Sequence, residues 1–144
     1  SLKSYIDAQP KSIQLCHIDA VPDNFLFVTG KDGSEEIKLI DWEYAGMQDP
    51  HLDVAMFIIY AMYDRDPAEK LIDLYFSDGC DKATRLKIYC YIAVSGLVWS
   101  NWCEFKHHCG VEFGAYTQRQ YDYAREYTKI FFKEYREAFG RDYV

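Results

Sequence analysis

The sequence predicts a mainly α-helical α+β fold in which a short β-hairpin comes first and about four helices follow. Two observations carry this. Apolar runs at residues 25–28 and 37–40 flank a Gly-containing stretch, Gly30-Lys31-Asp32-Gly33-Ser34, the pattern of two strands joined by a turn. From Asp53 onward, apolar residues recur at helical spacing almost to the end of the chain. The 144 residues suit a single domain, 1–144, and a chain of that size buries roughly 70% of its extended surface.

The elements follow in order. Residues 1–15 read as the end of a helix running into a short apolar strand or turn at 13–16. Asp19, Pro22, Asp23 and Asn24 crowd residues 17–24 with loop chemistry. The hairpin comes next, then a loop over 43–51 that holds Gly46 and Pro50. Residues 53–64 are almost wholly apolar and predict a helix buried on most sides. Pro67 is placed to be the first residue of a helix reaching Phe76. Gly79 ends that helix and Asp81 caps the next, a helix over about 82–108 that is roughly 40 Å long at 1.5 Å per residue. A last helix spans about 115–139 and stops at Gly140, with its core stripe at Tyr116, Tyr123, Tyr127, Ile130, Phe131 and Tyr135. Tyr116 is also a candidate for a pocket rim.

Composition narrows the function. Apolar residues make up 49% and charged residues 27%, which excludes a disordered chain. The net charge is −7 with no basic run, which argues against nucleic-acid and anionic-membrane partners and suits a cationic ligand or bound metal ions. The five Cys are odd in number and none forms a CxxC pair, so they read as reduced thiols of a cytoplasmic protein. Ser1-Leu2-Lys3-Ser4 lacks the apolar region of a signal peptide. The longest purely apolar stretch, 54–63, is too short to span a bilayer. The chain opens on Ser rather than Met, and the expectation is that it is processed or cut from something longer.

His17, Asp19 and Asn24 form H-x-D-x4-N just before the first hairpin strand, and the second strand delivers Asp41. In phosphoryl-transfer enzymes a loop Asp accepts the proton of the attacking hydroxyl, while an Asn and a later Asp hold Mg²⁺ on the nucleotide phosphates. Two oxygens must approach one hard cation at about 2.1 Å while a third stays free to face the nucleophile. A hairpin between Asn24 and Asp41 brings distant residues to one point. The alternative is that Asp19 and Asn24 are turn formers and Asp41 a strand terminator. His17 reads as structural on either view.

The runs Leu15-Cys16-His17-Ile18-Asp19, Asn24-Phe25-Leu26 and Leu39-Ile40-Asp41-Trp42-Glu43-Tyr44-Ala45-Gly46 resemble the choline/ethanolamine kinases, and more broadly the aminoglycoside-phosphotransferase-like kinases. Asp53, Trp99-Ser100-Asn101-Trp102 and Glu112-Phe113-Gly114 extend the resemblance, which is nearest to the bacterial choline kinases. It implies the C-terminal lobe of a protein-kinase-like fold, with Mg²⁺ as cofactor and ATP as co-substrate. It implies Asp19 as catalytic base, Asn24 and Asp41 as metal ligands, and His17 and Asp53 as supports of the catalytic loop. Glu43, Tyr60, Trp99 and Trp102 would then meet the amino alcohol. The chain departs from the family pattern twice. Ile18 stands where these kinases often have Asn, with a side chain expected to point away from the reacting atoms. Tyr60 stands roughly where an acidic pocket residue is usual.

The tryptophans bear this out independently only in part. At i and i+3 both indoles project from one helix face and can make two walls of a cage for N(CH₃)₃⁺, each contact worth roughly 0.5–2 kcal/mol. By spacing alone they equally suit a buried core, and it is the resemblance that favours the cage. Cys103, His107, His108 and Cys109 form a rival cluster for Zn²⁺, but without a second half-site they read as a helix end.

Only 16 residues precede His17, and the eight Gly form no G-x-G-x-x-G. A kinase of this type needs a nucleotide-clamping lobe with a glycine-rich cover and a phosphate-binding Lys. The chain is therefore expected to hold the base, the metal ligands and the alcohol pocket, to meet ATP through an N-terminal lobe it lacks, and to be inactive alone. Two other readings stay open: a non-catalytic choline-binding module, and a kinase lobe for ethanolamine, an aminoglycoside or another amino alcohol.

Overall fold

The computed structural model describes residues 1–144. Helix α1 (Leu2–Ala8) starts at Ser1, whose hydroxyl accepts from the Ser4 N–H. Strand β1 (Gln14–Cys16) follows, then a single 3₁₀ turn over Pro22–Asn24. Strands β2 (Phe25–Thr29) and β3 (Glu35–Leu39) form the expected antiparallel hairpin, in register from Phe25 opposite Leu39 to Thr29 opposite Glu35. Its turn is held by Asp32, whose carboxylate accepts from both the N–H and the hydroxyl of Ser34.

The stretch expected to be one loop over 43–51 contains a further strand, β4 (Gly46–Gln48), antiparallel to β1 with Cys16 opposite Gly46. Three residues are too few for a readable alternation, and β4 exists only because its partner arrives from thirty residues earlier. The two pairs are nested, with β1–β4 outside and β2–β3 inside. Nesting forces the loop after β1 and the loop after β3 to the same end of the hairpins, which is what assembles the site.

Helix α2 (His51–Tyr60) begins two residues before the expected Asp53 and ends before Asp64. Met62, in the left-handed region at φ 51°, breaks it off. Helix α3 (Arg65–Tyr75) likewise starts ahead of Pro67, which sits within its first turn. Helices α4 (Lys82–His108) and α5 (Ala115–Phe139) have the expected bounds. Asp81 caps α4 by accepting from the Thr84 N–H at 3.0 Å, and Gly140 closes α5 in the left-handed conformation its missing side chain allows.

One hydrophobic cluster joins α1, α2, α3, α4 and α5. Tyr123, Tyr127, Phe131 and Tyr135 form the buried stripe of α5, as expected. Helices α4 and α5 meet closely at Gly96, where a Cβ would lie 2.7 Å from the Gln120 carbonyl oxygen and 2.9 Å from Tyr123 Cβ. This packed helical layer is the platform on which the nested hairpins stand. No helix is long and apolar enough to cross a membrane.

Candidate active site

The loop after β1 is held from below by α2. Both oxygens of Asp53 are engaged, Oδ2 accepting from the His17 N–H and Oδ1 from the Ile18 N–H, each at 2.8 Å. The His17 ring is buried, packs edge-on against Trp42 at 4.8 Å, and its Nε2 bonds the Ile40 carbonyl at 2.8 Å. That carbonyl can only accept, so Nε2 carries the proton. The loop is thereby tied to α2 and to the end of β3. Between these ties Ile18 is forced to φ 68°, a conformation β-branched residues avoid. It is the residue immediately before Asp19.

Asn24 is buried, and its amide Nδ2 donates to the Asp19 carbonyl at 3.0 Å. The Asn24 carbonyl accepts from the Ile40 N–H at 3.0 Å, one residue before Asp41. Asp41 is itself left-handed at φ 64°. Asn24 thus bonds residue 19 through its side chain and Ile40, the neighbour of Asp41, through its main chain. The Glu43 carboxylate holds the Tyr44 hydroxyl above the ordinary tyrosine range, and the Asp19 and Asp41 charges add to the effect.

Beside Asp19 opens a cavity of about 760 Å³. Glu43 and Tyr44 line its rim, and Tyr60, Trp99, Trp102, Phe113 and Tyr116 supply a run of aromatic rings. Successive centroids are 5.7 Å apart from Tyr60 to Trp99, 5.1 Å from Trp99 to Trp102 and 5.3 Å from Trp102 to Phe113. Burial, and then the neighbouring Asp19 carboxylate, keep the Tyr60 hydroxyl protonated well above its usual range. The Lys106 ammonium stands 5.4 Å from the Trp102 ring centroid, so one face of this indole already attracts a cation.

Every expected pocket residue lines this one cavity. Ile18 is among the residues bounding the cavity, and its Cδ1 lies 3.6 Å from where a Cβ on Gly46 would stand. Nothing in the spacing of the motif announces the left-handed backbone at Ile18. Met56 and Phe113 are cavity residues that sequence reasoning did not assign. Phe113 lay within the quoted Glu112-Phe113-Gly114 run, and Met56 had no signal beyond its place on an apolar helix.

Asn24 and Asp41 offer amide and carboxylate oxygens, the hard donors Mg²⁺ takes. The Asn24 Nδ2 is committed to Asp19, which leaves Oδ1 as the side chain's unengaged acceptor. These residues fit the ion. The Cys103, His107, His108 and Cys109 cluster does not converge as a metal site. Cys103 is buried, while His107 turns to Glu112 at 3.0 Å.

Residues 2–89 match the phosphotransferase enzyme family, APH. The chain belongs to this family. It is 30% identical over 121 residues to Protein LicA of Haemophilus influenzae, covering 76% of this chain and 41% of that protein. Among solved structures it resembles a choline/ethanolamine kinase family protein from Mesorhizobium loti, at TM-score 0.72 and 25% identity over 89% of this chain and 43% of that one. It also resembles the choline kinase LicA from Streptococcus pneumoniae, at TM-score 0.67 and 28% identity over 90% of this chain and 44% of that one. A structure of LicA in complex with AMP matches at TM-score 0.68. The mainly helical architecture with small antiparallel hairpins is therefore that of the kinase-like C-terminal lobe. The chain spans about two-fifths of the length of the relatives it matches.

Proposed function

We propose that these residues form the catalytic and alcohol-binding lobe of a choline kinase, which transfers the γ-phosphoryl group of ATP to the choline hydroxyl and yields phosphocholine and ADP. One observation carries the reading: the cavity bounded by Asp19 is also bounded by the aromatic run of Tyr60, Trp99 and Trp102. A trimethylammonium group against those rings gains cation–π attraction, with Glu43 adding opposite charge at the rim. A hydroxyl two carbons away then faces Asp19.

Asp19 accepts the hydroxyl proton as the oxygen attacks the γ-phosphorus and the bond to the β-bridging oxygen breaks. Asn24 and Asp41 would hold Mg²⁺, which neutralises charge on the phosphate oxygens. His17 and Asp53 hold the loop, so that Asp19 needs no reorganisation when substrate arrives. The aromatic walls favour a methylated ammonium over ethanolamine, whose primary ammonium calls for more carboxylates, and Glu43 is the cavity's one carboxylate besides Asp19.

The strands of this chain form two nested pairs with no glycine-rich cover among them, and their one lysine, Lys38 on β3, stands 3.7 Å from the Glu36 carboxylate. Turnover is accordingly assigned to the protein that joins this lobe to a nucleotide clamp, and the 144 residues alone are expected to turn over little. Phosphorus NMR of that protein with ATP, Mg²⁺ and choline tests the reading. A growing phosphocholine resonance with matching ADP is the expected result. ATP consumption with ethanolamine or an aminoglycoside but not with choline would overturn the substrate, and no transfer to any amino alcohol would overturn the reaction.

A further inference from the structure

Lys87 lies within α4, away from the cavity, and neither the motif nor the proposed chemistry uses it. It and Asp49 are almost wholly buried, 2% and 3% exposed. The Lys87 ammonium donates to Asp49 Oδ2 at 2.7 Å and to the Pro10 carbonyl at 2.9 Å. Asp49 also accepts from the Tyr91 hydroxyl at 3.1 Å and from the His51 N–H at 3.2 Å. Burial works against the Asp49 carboxylate, yet Lys87 and the His51 N–H outweigh it and keep its pKa below the ordinary value.

The position of these contacts in the chain gives them meaning. Pro10 precedes β1, and Asp49 follows β4 directly. Everything between them, residues 11–48, is the nested hairpin segment that carries Asp19, Asn24 and Asp41. One ammonium group therefore pins both ends of the site-bearing segment onto α4. Beyond Asp49 the relay continues. The Asp49 carbonyl accepts from the Leu52 N–H in the first turn of α2, and Asp53, the next residue, grips His17 and Ile18.

A buried ion pair is a poor source of net stability, because desolvation offsets its attraction, and apolar residues of similar volume often do as well. What directional donors on one carboxylate do is select a single arrangement. We infer that Asp49 and Lys87 are positioning residues, which set the start of α2, and through Asp53 the loop 17–19, against the helical platform. The purpose of that positioning rests on the reading of Asp19 as the base, whereas the mechanical coupling does not.

Hydrogen exchange followed by NMR on the 144-residue chain tests the coupling without turnover. Lys87→Met leaves the Asp49 charge buried and unpaired, and the His17 and Ile18 amides should exchange at least about tenfold faster, while the Tyr127 and Phe131 amides change less than about twofold. Tyr91→Phe removes one donor and keeps the fold, and a selective acceleration of about threefold at the same two amides is expected. The double variant D49N/K87M, with no charge left unpaired but the tie from α4 also gone, should keep the Tyr127 and Phe131 amides within about twofold of the parent and still leave His17 and Ile18 at least about threefold faster. A full return of those two amides to the parent rate would overturn the inference by showing that the unpaired charge alone caused the Lys87→Met effect. Parallel acceleration of all amides would reduce the pair to a contributor to global stability and overturn the inference, as would unchanged exchange at His17 and Ile18 in both single variants. In the phosphotransferase assay Tyr91→Phe should lower kcat and leave KM for choline unchanged. If Asp19 were not the base, Asp19→Asn would keep its turnover, and the exchange result would stand apart from that failure.

Discussion

Asp19→Asn is expected to lower the rate of phosphocholine formation by about 10²–10⁴-fold while leaving choline affinity within about twofold. The substitution keeps the size of the side chain and its main-chain bond to Asn24, which runs through the Asp19 carbonyl. It removes the capacity to take a proton together with the negative charge. Steady-state kinetics on the protein joined to its nucleotide clamp, with choline binding measured separately, separates the two effects. Because the aromatic run and Glu43 also line the cavity that Asp19 bounds, the ammonium should retain those contacts in the variant. Turnover within tenfold of the parent would remove Asp19 from the base role.

The second large effect is expected at Asp53. Its carboxylate accepts from the two consecutive N–H groups of His17 and Ile18, and it holds Ile18 in a left-handed conformation that costs roughly 1–2 kcal/mol. Asp53→Ala leaves both donors without a partner, and each such loss is worth about 1–3 kcal/mol. The net expectation is a destabilisation of about 2–4 kcal/mol, less than the simple sum because the freed loop relaxes and rehydrates. Asp53→Asn keeps one acceptor oxygen and should fall between the two. Denaturant unfolding measures the stability and kinetics measure the activity. Activity should fall in both variants even where the protein remains folded, because Asp19 follows Ile18 directly. An Asp53→Ala protein as stable and as active as the parent would mean that the clamp does not position the loop.

The parts of this fold that were legible in the sequence are those whose signals are local. The bounds of α4 and α5 follow from Asp81 and Gly140, a side-chain cap and a left-handed stop, each acting within a few residues. The β2–β3 hairpin follows from a turn with Gly at both ends. The start of α2 was misplaced because Pro50 and Asp49 carry loop chemistry by composition yet stand at the head of the helix. Strand β4 was not legible at all, since its three residues are ordered by β1 across the whole hairpin segment. The site shows the same division. Asp19, Asn24 and Asp41 were marked as candidates from spacing and resemblance, but spacing did not reveal that Asn24 would bridge to the Asp19 carbonyl or that Ile18 would take a left-handed backbone. The Asp49–Lys87 pair left no trace in the sequence, because a lone lysine in a helix reads as surface until its partner closes over it.

The central claim is that the aromatic run beside Asp19 receives a quaternary ammonium group. Isothermal titration of this chain with choline and with ethanolamine, repeated on Trp99→Ala, tests it most directly. The account predicts saturable one-site binding in which choline is at least about fivefold tighter than ethanolamine, and a loss of about 1 kcal/mol or more of choline affinity in the Trp99 variant. Equal affinity for the two amines, unaffected by removal of the indole, would contradict it.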